Sequence, residues 1–189
     1  DQGVKVAHTA FSEAVFEQAE VVADTPVFVD YPVLLARYPD AKFVYLERPL
    51  GEWLPSIRRL LGSMRKQWVR DKEVFEAEIR RCFTEVFPQF YKHTEFSDGY
   101  LTDCYAKHKA AIERAFLAIP EQLLCVDITQ QGAAAALQKF CLGQGALFAE
   151  DGERDGEAGA LPHVNKGRRI TYWESVSHPN KVDSWGCLA

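Results

Sequence analysis

Apolar and polar positions follow two periods along the chain, and the switches between them mark its elements. The run AKFVYLE, residues 41–47, is short and mostly apolar, which predicts a strand placed centrally in a parallel sheet. LLCVDI, residues 123–128, predicts a second strand with a buried character. Near the start, Gly3 suits the residue after a helix end, and VKVAHTAF carries the β-branched and aromatic residues of another strand. Helical spacing of Ala14, Val15, Ala19 and Val22 predicts a helix over 12–22 with Ser12 as its N-cap. Asp24-Thr25-Pro26 ends it, because the residue before proline is pushed out of the α region. Further helices are predicted over 27–37 and 50–67, separated by the strand and by a turn at Tyr38-Pro39-Asp40.

From about Asp71 to Ile119 the pattern is helical, divided at Pro88 and at Ser97-Asp98-Gly99. A short helix over Ala133–Leu142 is followed by Gly143. The acidic, glycine-rich stretch 149–159 predicts a mobile loop, and the tail from Leu161 places Trp173 and Trp185 in an irregular context. Strands joined by connections of helical length indicate an α/β fold on a parallel sheet.

Composition changes this picture little. A chain of 189 residues, 47% hydrophobic and 26% charged, suits a single globular domain. The net charge of −5 argues against a surface built for nucleic acid, although it leaves room for one small anion pocket. Five cysteines, none in a close pair, with several in apolar runs such as LLCVDI and KFCLG, read as buried reduced thiols of a cytoplasmic protein. No apolar run approaches the roughly 18 residues that span a membrane, and no signal peptide is visible. The histidines His8, His93, His108, His163 and His178 are scattered, so no metal cluster is expected.

The chemistry concentrates in YPDAKFVYLERPLGEWLPSIRR, residues 38–59. Arg48 stands at the carboxyl end of a predicted strand, where α/β sheets bind ligands. The next helix begins near Glu52, and its N-terminus offers unpaired N–H groups and partial positive charge. Arg48 would add a charge-assisted contact and Ser56 a hydroxyl, which together suit a phosphate. The same residues allow a second reading, in which Arg48 pairs with Glu47 or Glu52 at the surface and Ser56 faces solvent.

These residues resemble a family. YPDAKF followed by Arg48, Pro49, Trp53 and Ser56 is similar to the 3′-phosphate-binding segment of sulfotransferases that use 3′-phosphoadenosine 5′-phosphosulfate (PAPS). Ser56 lies eight positions after Arg48, the family's spacing. Asp24-Thr25-Pro26 resembles the family's D-x-P, Tyr105…His108 its Y-x-x-H, and PEQLLCVDI and LPHVN later stretches in the same order. The resemblance implies a P-loop-type three-layer sandwich with a central parallel sheet. Residues 60–118 would be a helical insertion on the side of a small-molecule acceptor. It further implies PAPS as co-substrate without a metal, and Arg48 and Ser56 on the 3′-phosphate. Asp24 would be the general base, with His8 as second candidate and Asp30 as third. Lys166, Gly167 and Arg168 look like the basic loop that returns over the nucleotide, or else a solvated basic turn balancing the acidic 149–159 stretch.

Two departures stand against the pattern. The family's glycine-rich P-loop is expected a helix upstream of Gly3, and no such loop occurs in these residues. Gly132 is followed by Ala133 where the family has glycine-tryptophan. Sulfuryl transfer to a hydroxyl or amine is the leading expectation, and a non-catalytic nucleotide-binding or interaction domain is the alternative. A small nucleotide kinase is a third, with Asp127 as its magnesium-binding carboxylate. Oligomeric state is not legible.

Overall fold

Strand β3, Phe43–Glu47, pairs in parallel with a strand 80 residues further on, Leu123–Asp127, in the register Phe43↔Leu123 to Glu47↔Asp127. A parallel pair needs a crossover, and three helices fill it: α3 (Leu50–Arg70), α4 (Ala77–Val86) and α5 (Asp98–Ala115). The later strand is β4. The computed structural model describes residues 3–92, 95–142 and 173–186. Before β3 come β1 (Val6–Ala7), α1 (Glu13–Gln18), β2 (Val21–Val22) and α2 (Val27–Arg37), and after β4 comes α6 (Ala133–Leu142). The 149–159 stretch, Cys187 and the Lys166-Gly167-Arg168 loop lie outside the described residues.

The α/β class holds, but among the described residues the strands form two separate two-stranded parallel sheets, β1–β2 and β3–β4. The expected three-layer sandwich around one central sheet is not seen there. With only one neighbour among the described residues, β3 leaves Val44 and Leu46 37% and 56% exposed, where burial on both faces was expected. Cys125 and Cys141 are likewise exposed, so two of the thiols read as buried sit at the surface; Cys82 and Cys104 are buried. All four are free, and burial pushes the Cys82 thiol up to about 11.

The helix predicted over 12–22 stops at Gln18. Ala19 closes it by donating to the Val15 carbonyl, and the β-branched pair Val21-Val22 leaves the helix to pair with β1. The N–H groups of Glu20 and Val21 both reach the Lys5 carbonyl, and Ala23 reaches Ala7. Tertiary hydrogen bonds there outweigh a weak helical pattern.

Two apolar clusters hold the chain. The larger joins Leu61 and Met64 of α3 to Phe87, Phe90, Phe96, Leu101 and Cys104, so most of the aromatic residues of the helical region are core. The smaller gathers Ala7, Ala10, Val15 and Val182. Its last member comes from residues 173–186, which lie along the free edge of β1: Val6 donates to the Asn180 carbonyl, and Val182 donates back to Val6.

Candidate active site

Helix α3 opens directly from the carboxyl end of β3. Pro49 is its N-cap and supplies no side-chain hydrogen bond, while its carbonyl accepts from the N–H groups of Glu52 and Trp53 at 2.9 Å each. The N–H groups of Leu50 and Gly51 precede the first intrahelical bonds and point out of the helix end. Behind them Trp53 packs on Tyr105 of α5 with ring centroids 4.9 Å apart, and Tyr105 is hydrogen-bonded to Tyr45 of β3. That chain of rings seats the start of α3 between strand and helix, and burial with the Tyr105 partner raises the Tyr45 pKa.

The charges at this edge are mixed. Arg48 Nε lies 3.4 Å from Glu52 Oε2, the surface pair allowed by the second sequence reading, and Ser56 is exposed one turn beyond Glu52. Glu47 is paired with Lys109 of α5. Opposite it in register, Asp127 accepts from the Thr129 hydroxyl and N–H and from Gln130. Those bonds hold the Asp127 carboxyl below its usual range, with Arg48 adding to the same effect. Arg48 and Ser56 are therefore accessible, but Glu52 already occupies the guanidinium. Exposed pairs of this kind contribute about 0–1 kcal/mol, so an incoming dianion can displace Glu52.

The two candidate bases come together. Parallel pairing puts Ala7 beside Val22, so the residues leaving the two strands emerge at one end of the sheet. His8 Nε2 lies 3.8 Å from Asp24 Oδ2. Asp24 adopts φ +64°, a left-handed conformation that aspartate tolerates better than most residues. Its neighbour Thr25 is buried, donates through Oγ1 to Asp24 Oδ1 at 3.2 Å, and accepts from the Ala10 N–H. Sequence reasoning offered His8 and Asp24 as alternatives, and the fold makes them partners. Among the described residues no hydrogen bond, ion pair or ring contact links this pair to Arg48 or Ser56.

Asp30 does not join them. Both its oxygens are taken by the Arg81 guanidinium, at 2.9 and 2.6 Å, which ties α2 to α4. His108 makes ring contacts with Phe28 of α2 and Tyr45 of β3, so it braces the packing between α5 and those two elements. Burial lowers its pKa. Its ring also borders a cavity of about 420 Å³ between α2, α4 and α5, with Phe28, Tyr31 and Val86 among the walls. Among the described residues no three His, Cys, Asp or Glu side chains gather as a metal site requires. No described helix is long and apolar enough to cross a membrane.

Sequence reasoning missed one neighbour of the pair, Trp173, whose ring centroid lies 6.0 Å from that of His8. Nothing in its irregular context pointed there. The hold of Glu52 on Arg48 was legible from the i,i+4 spacing.

Parallel strands crossed over by helices, with polar side chains gathered where the strands end, define an α/β protein of the kind that carries its ligands at that edge. The chain belongs to the sulfotransferase family: the family described as "Sulfotransferase domain" matches residues 2–141, which include Asp24, Arg48 and Ser56. Membership assigns sulfuryl transfer in general as its chemistry. Comparison with curated proteins and with solved structures gave no match.

Proposed function

We propose that the protein transfers a sulfuryl group from PAPS to a hydroxyl or amine of a small-molecule acceptor. The observation that carries this reading is the junction of β3, Arg48 and α3 inside the family match, with a guanidinium, a hydroxyl and helix N–H groups on one exposed edge. Three kinds of donor suit a phosphate, and no one of them alone would. The pair His8–Asp24 supplies the proton acceptor. The Asp24 carboxylate faces Nε2 at 3.8 Å, which leaves Nδ1 to take the acceptor's proton. As the new bond to sulfur forms, the bond from sulfur to the bridging phosphate oxygen breaks, and the leaving nucleotide keeps that electron pair.

The cavity beside His108 is the proposed seat of the acceptor. Its wall residue Phe28 is one helical turn from Asp24, to whose carbonyl it donates its N–H at 3.2 Å. A second reading, a non-catalytic nucleotide-binding domain, draws support from the Glu52 contact that occupies Arg48.

Calorimetry with 3′-phosphoadenosine 5′-phosphate, on the wild type and on Arg48→Ala, tests the grip. The wild type is expected to bind and the variant to lose on the order of tenfold or more in affinity, as for a charge-assisted contact. No binding by the wild type would sink the nucleotide reading, and equal binding by both would remove Arg48 from it. Transfer of radiolabelled sulfate from PAPS then separates enzyme from binder.

A further inference from the structure

Residues 173–186 lie beyond the stretch matched by the family, yet they are built into the His8–Asp24 end of the molecule. Val182 is fully buried in the smaller core. The hydroxyls of Thr9 and Ser184 are hydrogen-bonded, Phe11 donates its N–H to the Ser184 carbonyl at 2.8 Å, and Ser12 donates to the Trp185 carbonyl at 2.6 Å. This strap presents Trp173 to the site and holds it on two sides. The indole N–H donates to the Val182 carbonyl at 3.1 Å, and the Lys181 ammonium lies 5.4 Å from the ring centroid. Lys181 is itself buried and fixed by the carbonyls of Glu174 and Val176.

His8 thus has two neighbours, the Asp24 carboxylate and the Trp173 indole, whose plane is tilted 31° from its own. The carboxylate contact cannot set the imidazole alone. The two side chains are 53% and 44% exposed, and an ion pair that open to water is too weak to hold one rotamer. A ring contact adds to that hold, and an indole already fixed by Val182 and Lys181 loses little freedom in making it.

We propose that Trp173 is a positioning residue for His8. Its indole holds the imidazole turned toward Asp24, so the catalytic unit extends past the matched region to the strap. As a statement about catalysis this rests on the sulfuryl-transfer reading; as a statement about geometry it does not.

The test uses the full chain and two readouts. In wild-type protein the ring current of Trp173 displaces the His8 ring-proton resonances; Trp173→Leu is expected to abolish the displacement and Trp173→Phe to keep part of it. In single-turnover transfer from PAPS, Trp173→Leu is expected to slow the chemical step on the order of 100-fold, as for a misplaced reacting group. Binding of 3′-phosphoadenosine 5′-phosphate should be unchanged, and Trp173→Phe should recover most of the rate. Ser184→Ala, which removes one anchor of the strap away from Trp173, is expected to stay near wild type. Unchanged His8 resonances in Trp173→Leu would overturn the proposal, as would Ser184→Ala slowing the reaction as much as Trp173→Leu. Should Trp173→Leu fail to fold, the wild-type Overhauser contact between the indole and the imidazole decides, and its absence overturns the proposal. If the wild type neither binds the nucleotide nor transfers sulfate, the functional reading fails while the resonances still judge the positioning.

Discussion

Arg48 has one guanidinium and two calls upon it, Glu52 at 3.4 Å and any anion that reaches the start of α3. Removing the competing carboxylate should favour the anion. Glu52→Gln is expected to tighten 3′-phosphoadenosine 5′-phosphate binding about two- to fivefold, the reciprocal of breaking an exposed pair, measured by calorimetry at low salt. His108 offers a second residue-scale prediction through stability. Burial lowers its pKa below the ordinary value of 6.5, so between that value and the lower folded one the unfolded chain binds more protons. Stability contributed by the neutral imidazole is therefore present above pH 6.5 and is lost as pH falls toward the folded pKa. Urea midpoints at pH 7 and pH 5 should differ less in His108→Gln than in wild type; an equal difference would remove His108 as the cause.

Helix boundaries show which sequence signals survive folding. Ser97 is the N-cap of α5, and its hydroxyl accepts from the Tyr100 N–H, so the Ser97-Asp98-Gly99 break is a helix start. Ser97→Ala should cost about 1 kcal/mol in chemical denaturation, and no loss would mean that the Tyr100 N–H finds water just as well. Pro88 and Ser97 were readable because each acts on its own backbone. The end of α1 was not, because the competing hydrogen bonds come from Ala7 in β1 and from Lys5 just before it. The same limit applies to β3, whose apolar run read as central although Val44 and Leu46 are exposed. A one-dimensional pattern reports what a strand could bury and not how many neighbours it has.

Across the whole molecule, residues 173–186 pack against residues 6–14, and Gly186 lies close against Ala14. There φ is +86°, and a Cβ would stand 2.7 Å from Ala14 Cβ and 2.9 Å from the Ala14 carbonyl carbon. Gly186→Ala is therefore expected to lower stability by about 1–3 kcal/mol through overpacking and backbone strain. It should also loosen the strap, seen as faster hydrogen exchange at the Val6 and Val182 amides; wild-type exchange at both would contradict this.

The sequence by itself determined the α/β class, the strand–helix junction at Arg48, the two proline- and serine-marked breaks, and the family through residues in order along the chain. Each depends on neighbours close in sequence or on fixed spacing. Only the tertiary structure decided that His8 and Asp24 are partners, that Asp30 belongs to Arg81, and that Trp173 neighbours His8. Those contacts join residues 16, 51 and 165 positions apart, and strand register and strap docking, which no local pattern encodes, bring them together.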